Sequence, residues 1–460
     1  MFFQQATIFL LPGFLRITFH KISYSDEWSS LHLHRRYGKI RPVYLERGTF
    51  LKQIAVIGGG ASGMAAAITA AKAGATVTIF EKSPRVGKKL LATGNGRCNI
   101  SNRFCTIDRY HGGDPDFILH AMQTYDVDNT EKFFNDMGLM ITELEDGKLY
   151  PRPLQASAVL DVLRMEAERQ HVQTVCNCEI EEIRPRGRDF LLLSGEKSFA
   201  ADAIIVAAGG EAAPQLGGTE SGYRLLHKLG HSITQRIPSI VQLKTDVTTI
   251  KPLSGMKIDG TVRLFTGKKE VRSQFGEILF TDYGVSGPPI MQISGSASRL
   301  LHEDRSAILL LDLAPELQQK KLYFLLKSRA FTHSERSLEE FLVGMFPKRL
   351  GMCAIKTISP VPLSRRISEL ADKDLQALAA QLKAWRLTVK GTNGFRNAQV
   401  TAGGATVKEF NSNTMESKLV PGLYACGEVL DVDGDCGGFN LQWAWASGRL
   451  AGTSAANKHL

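Results

Sequence analysis

The sequence contains no CxxC pair, no apolar run long enough to span a bilayer and no internal repeat, and each absence removes a class of protein. Its seven cysteines are Cys98, Cys105, Cys176, Cys178, Cys353, Cys426 and Cys436, an odd number without zinc-ligand or redox spacing. That argues against a disulfide framework or a structural zinc and for a reducing cytoplasm. Low-complexity tracts are missing, which excludes wholesale disorder and, with the lack of repeats, a solenoid. Basic runs are scarce as well. The net charge of +10 is scattered in nothing longer than pairs such as Lys88–Lys89, so an ordinary solvated surface is expected rather than a nucleic-acid partner. His111, His120, His227 and His231 form no ligand constellation, and no metal is expected.

At 460 residues the chain has room for two or three domains. The first fifty residues carry seven Lys/Arg against three Asp/Glu, and their apolar Met1–Phe14 is broken by Pro12 and Gly13. They are expected to be a poorly ordered extension outside the fold, with an upstream start codon as one origin and a membrane-contacting arm as the sharper alternative.

The folded part opens at Lys52. Ile54–Ile57 reads as a buried parallel strand, Met64–Ala73 as an Ala-rich helix stopped by Gly74, and Thr76–Phe80 as a second strand. Gly58-Gly59-Gly60-Ala61-Ser62-Gly63 between them fits GxGxxG in the strand–loop–helix context that gives the motif meaning. Gly58 permits the tight turn, Gly60 lets backbone N–H groups approach a pyrophosphate, and Gly63 lets the helix pack on the sheet. The helix N-terminus at Ala61 and Ser62 adds partial positive charge. Glu81, closing the second strand, suits an adenosine ribose and disfavours a 2′-phosphate; Lys82 after it is assigned to the same site.

The loop alone does not separate FAD from NAD, but the carboxy-terminal segment does. Leu423–Cys426 reads as a late strand ending in Gly427 and Glu428, a carboxylate for the ribitol or pyrophosphate of FAD. Gly437, Gly438, Phe439 and Asn440 then open a helix whose N–H groups suit the flavin N1/O2 edge, and Asp431, Asp433 and Asp435 lie in the same loop. An NAD-only dehydrogenase has no need of this return. Ala207-Ala208-Gly209-Gly210 adds a strand-end turn, with Gly209 as its candidate contact.

Thr93-Gly94-Asn95-Gly96-Arg97-Cys98-Asn99 is the most unusual stretch. Its glycines allow close backbone approach, Asn95 and Asn99 offer donors and acceptors, and Arg97 suits negative charge. Lys88 and Lys89 before it are within reach of a pyrophosphate. Cys98 is expected to be a small buried residue, because no partner cysteine stands close enough for a redox pair.

Four blocks carry a resemblance: IAVIGGGASGMAAAITAAKAGATVTIFEK, GKKLLATGNGRCNISN, GEILFTDYGVSGPPIMQIS and the run from TAGGATVKEF to GGFNLQWAWASG. In this order, over residues 52–455, they resemble the YhiN/BaiN-like, or aminoacetone oxidase-like, bacterial NAD(P)/FAD-dependent oxidoreductases. Two departures stand out: Asp282 where the family has His, and Ala405 where Val is usual. The resemblance implies an α/β fold. A discontinuous two-dinucleotide-binding (Rossmann-like) FAD domain would be interrupted by an inserted antiparallel β subdomain and a helical subdomain, with the 93–99 segment beside the isoalloxazine.

The expected partition is 1–50 extension, 51–238 first FAD part, 239–312 β subdomain, 313–388 helical insert and 389–460 second FAD part. The expected activity is hydride transfer between flavin and a small organic substrate, or a transient NAD(P)H, since no second GxGxxG marks a separate nicotinamide domain. No catalytic acid or base is identifiable. The alternatives are a flavin-linked RNA-modifying or RNA-binding protein, suggested by the basic charge, and a non-catalytic flavin sensor.

Overall fold

The computed structural model describes residues 51–359 and 361–457, and of the earlier residues only the backbone of four strands, Gln5–Leu11, Phe14–His20, His32–Arg36 and Lys39–Val43. These four pair in chain order within one unit, Met1–Leu51, and Lys52–Leu460 is the other. The rest of the expected extension lies outside the described residues.

The second unit is built on a five-stranded parallel sheet in the order Gln173–Val175, Thr76–Phe80, Gln53–Ile57, Ala203–Val206 and Leu423–Ala425. Ile54–Ile57 and Ala203–Val206 are buried along their whole length, which is why they read as continuous apolar runs rather than alternating ones. The last strand returns to the sheet from more than two hundred residues away.

Two helices close one side of this sheet, Ala61–Lys72 and Phe439–Asn457. They meet through glycine: a Cβ on Gly448 would stand 2.4 Å from the Ser62 carbonyl oxygen, and one on Gly452 2.3 Å from that of Ala66. The tryptophans of the last helix turn elsewhere. Trp443 Nε1 donates to the Gly427 carbonyl at 3.2 Å and Trp445 Nε1 to that of Ile100 at 3.0 Å.

Between the two halves of the sheet the chain forms a closed six-stranded barrel. Its order is Leu243–Thr245, Gly284–Ser286, Lys269–Phe280, Lys257–Thr266, Ile308–Asp312 and Trp385–Thr392, the last pairing back onto the first. Period-two alternation fills it, with Val262 and Leu264 buried and Asp259 outside. The helices Gln319–Thr332, Lys348–Ile358 and Asp372–Lys383 precede the closing strand. The helical piece is therefore nested inside the barrel's connectivity, and the expected boundary at 388 falls within Trp385–Thr392. Fully buried Trp385 anchors that strand to the barrel core.

Helix Ala156–Arg169 is tied to the first helix by buried Glu166, which meets Lys72 Nζ at 2.9 Å and Arg169 Nε at 2.8 Å. Hydrogen bonds from Arg169 outweigh burial and, with Lys72 and Gln170, pull the carboxyl from 4.5 to about 2. A lowered acid contributes stability that is present above its ordinary pKa and is lost as pH falls through the folded value. The E166Q variant is expected to unfold at lower urea than the parent at pH 6. That gap should narrow as the buffer is taken from pH 5 towards pH 3, and a constant gap would contradict the assignment.

Candidate functional site

A cavity of about 730 Å³ opens where the amino ends of the first and last helices converge, within the range of roughly 300–1,000 Å³ common for cofactor sites. Gly58, Gly60, Ala61 and Ser62 line it, with Glu81, Lys82, Lys88 and Lys89. Thr93, Gly94, Asn95, Arg97 and Asn99 form a further wall, and Gly209, Glu428, Gly437, Gly438 and Asn440 complete the set. Five expected residues are not part of the lining. A Cβ on Gly63 would lie 1.9 Å from the Gly58 carbonyl oxygen, and one on Gly427 2.5 Å from Ser62 Oγ, so both glycines serve close packing. Phe439 is buried edge-on to Tyr110. Gly96 supplies a left-handed turn, and Cys98 is fully buried.

The 93–99 segment owes its shape to backbone that few residues adopt. Gly94, Asn95, Gly96 and Cys98 have φ of 57°, 55°, 82° and 59°, a region that glycine enters freely and asparagine tolerates. Cys98 N–H donates to the Thr93 carbonyl at 3.0 Å and closes the turn. Burial, against a weaker pull from Thr93, pushes the Cys98 thiol up to about 12, so it holds its proton and offers no thiolate.

The charged residues divide into engaged and free. Glu81 Oε2 accepts from Gly59 N–H and Oε1 from Ser83 N–H, both at 2.8 Å, so this carboxylate fixes the turn as well as facing the cavity. Glu428 receives Lys89 Nζ at 2.9 Å and the Thr401 N–H at 2.7 Å. Burial lowers the Lys82 pKa, opposed by Glu179 and Glu81. Lys88 and Arg97 make no ion pair among the described residues. Asn99 Oδ1 is buried without a hydrogen-bond partner, an acceptor waiting for an N–H.

Asp433 and Asp435 do not face the cavity centre as free acids. Asp433, in the strand Val432–Gly434, and Asp435, just past its end, both give their carboxylates to arginines of the insert. Asp433 binds Arg299. Asp435 binds Arg272, takes His111 Nε2 at 2.8 Å and lies 3.4 Å from Arg109 Nη1. Burial opposes ionisation of Asp435, yet the hydrogen bonds from His111 and Arg272 hold its pKa below the ordinary value; at Asp433 burial prevails over Arg299 and the shift is upward. Gln292 completes the grip, donating from Nε2 to the Cys436 carbonyl at 2.7 Å and accepting its N–H at 3.0 Å.

Sequence reading missed Lys148 and Tyr150, which also line the cavity. They alternate with buried Leu149 and Pro151 along the strand Lys148–Pro151, a period-two signal too short to stand out in four residues. Asp282 is exposed and outside the cavity lining. Ser417 Oγ, His231 and Glu409 form a relay with both links at 3.0 Å. Ser417 Oγ, however, already accepts the Leu419 and Val420 N–H groups and is buried, so the relay locks a turn. Among the described residues no group of three His, Cys, Asp or Glu could hold a metal ion, and no helix is long and apolar enough to cross a membrane.

The family described as HI0933-like protein Rossmann domain matches residues 52–454, and the pyridine nucleotide-disulphide oxidoreductase family matches 4–95. The 3-dehydro-bile acid delta(4,6)-reductase of Clostridium scindens is 38% identical over 415 residues, 89% of this chain and 100% of its own. A ribosomal RNA dihydrouridine synthase of Haemophilus influenzae is 30% identical over 404 residues, 85% of this chain and 95% of its own. Among solved structures, the 3-ketosteroid delta1-dehydrogenase of Sterolibacterium denitrificans is 13% identical, covers 89% of this chain and 100% of its own, and superposes with a TM-score of 0.48.

Breaking the Asp435 cluster should be costly, since it takes a buried carboxylate away from the half-buried Arg272, His111 and Arg109 gathered on it. The D435A variant is expected to lose about 3 kcal/mol in urea unfolding, and the D435L/R272M double variant should recover much of it. If D435A unfolds like the parent, the cluster does not hold the barrel in place.

Proposed function

The chain belongs to the HI0933-like Rossmann family and is an FAD-dependent oxidoreductase, and we propose that it adds hydrogen across a carbon–carbon double bond conjugated to a carbonyl. The names of the two curated relatives share that chemistry. One describes a 3-oxo bile acid desaturated at positions 4 and 6; the other describes uridine, whose 5,6 double bond is conjugated to the C4 carbonyl. A small organic substrate is favoured over ribosomal RNA by the higher identity and full-length coverage of the bile-acid relative. The observation that carries the reading is the convergence of Gly58–Ser62, Thr93–Asn99 and Gly437–Asn440 on one cavity.

The residues fit FAD. A Cβ on Gly60 or Gly209 would meet nothing within 4 Å, so ligand atoms can approach the backbone there. The N–H groups at Gly60–Ser62 suit the pyrophosphate, with Lys88 as its cation, and Glu81 suits the adenosine ribose. The Lys89–Glu428 pair is electrically neutral and suits the ribitol hydroxyls. Asn99 Oδ1 suits a ring N–H, and the helix amino end at Gly438–Asn440 suits the edge of the ring that becomes negative on reduction. Bound there, FAD supplies a hydride carrier. A nicotinamide nucleotide visiting the same cavity is the electron donor in this reading. The seven thiols, none in a disulfide, suit work in a reducing cytoplasm.

Purified protein is expected to be yellow, absorbing at about 450 nm as flavins do. The G63V variant should fold with normal circular dichroism but lose the colour, because its side chain displaces the Gly58 turn. Anaerobically reduced protein should regain its yellow colour with a 3-oxo-4-ene steroid and not with the saturated ketone. Recovery with a uridine-containing ribosomal RNA fragment alone would move the substrate to RNA. No recovery with either would defeat the reductase reading.

A further inference from the structure

Resting on that reading, we propose that Tyr150 is the catalytic proton donor, its hydroxyl supplying the proton that bonds to the substrate carbon beside the carbonyl. Three observations converge on it. The first is placement. Strand Lys148–Pro151 is hydrogen-bonded on both sides, Leu149 opposite Ser101 and Tyr150 opposite Thr142, so its register fixes which side chains reach the cavity. Lys148 and Tyr150 do, while Leu149 and Pro151 are buried behind them. The Tyr150 ring lies against the 93–99 segment, its Cε1 3.4 Å from where a Gly94 Cβ would stand. It thus stands beside the segment expected to flank the flavin ring.

The second observation is that its hydroxyl is free. No hydrogen bond holds it among the described residues, whereas Tyr110 donates to the Phe439 carbonyl at 3.0 Å and Tyr223 to that of Glu428 at 3.4 Å. The third is the lack of a better acid. Glu81 and Glu428 are committed to backbone N–H groups and Lys89, and Asp435 is held ionised by its cations. Burial raises the Tyr150 pKa, so the phenol keeps its proton at neutral pH. Lys148 and Arg97 pull the other way and favour the phenolate left after transfer.

The step balances. The carbon farther from the carbonyl takes a hydride from reduced FAD, and the double-bond electron pair shifts towards the carbonyl. The Tyr150 O–H bond breaks as a C–H bond forms at the nearer carbon. The substrate is reduced by two electrons, the flavin is oxidised, and the phenolate regains a proton from water at the cavity mouth.

The test uses holoprotein reduced anaerobically and mixed with a 3-oxo-4-ene steroid in a stopped-flow instrument. The Y150F variant should keep its FAD and its spectrum, and ferricyanide, which takes electrons without protonating carbon, should still reoxidise it. Its reoxidation by the steroid should slow by about 100-fold, the lower end of general-acid effects. Site-specific 3-fluorotyrosine at position 150 should move the alkaline limb of the parent's pH profile downward, which a packing role would not do. Y150F reoxidising at the parent rate, an unmoved limb, or slowing by C436S in place of Y150F would each overturn the role. A parent protein that ferricyanide reoxidises but no conjugated ketone does would instead bring down the substrate reading, and this role with it.

Discussion

The contact of the first and last helices through Gly448 and Gly452 is the constraint on which the site depends. A side chain at either glycine would meet backbone oxygen of the first helix well inside van der Waals distance. Only at this separation can the Leu423–Ala425 strand join the sheet and the Gly437–Gly438 turn arrive beside the Gly58–Ser62 loop. Two helix amino ends then face one cavity, and their partial positive charges add there. A chain with larger residues at 448 and 452 would retain each half of the fold but hold the two anion-friendly ends apart.

The inserted barrel is fixed by a different device. Asp433 lies in the short strand Val432–Gly434 and Asp435 just past its end, and each takes an arginine from a different part of the insert. Gln292 adds a paired hydrogen bond to the Cys436 backbone, as a neighbouring strand would. The residues next in line are Gly437 and Gly438, on the cavity wall. Any rocking of the barrel is therefore transmitted directly to the turn that opens the last helix. Buried ion pairs contribute little net stability compared with apolar packing, but they discriminate strongly against displaced geometries. A domain whose distance from a cofactor matters is a sensible place to find them.

The parts of the fold legible from sequence were those in which local chemistry and long-range packing agree. The Gly58–Gly63 loop stands between a strand and a helix with an acid at the proper distance, and the structure sets most of that loop on the cavity. The nested barrel was less legible. Its closing strand, Trp385–Thr392, lies beyond three helices, and nothing local tells a strand which sheet it will complete. Glu428 and the aspartates after it read alike as acids near glycine, yet Glu428 pairs with Lys89 while Asp433 and Asp435 bind arginines of the insert, Asp435 from the cavity wall; these partners come from distant parts of the chain, which no local pattern shows. Tyr150 was invisible for another reason. A four-residue strand carries too few alternations to announce a face.

Charge balance explains why these placements suit one ligand class. Glu81, Glu428 and Asp435 would together repel a pyrophosphate if they stood free on the wall. Each is instead neutralised or occupied: Glu81 by two backbone N–H groups, Glu428 by Lys89 and Thr401, Asp435 by Arg272, His111 and Arg109. Lys88 and Arg97 have no ion-pair partner among the described residues, and two helix amino ends point inward. The cavity is therefore electropositive despite its many acids, and its polar lining is mostly preorganised before a ligand arrives. Such a wall favours a dianionic bridge at one end and a ring that gains negative charge at the other, and it costs little reorganisation to do both.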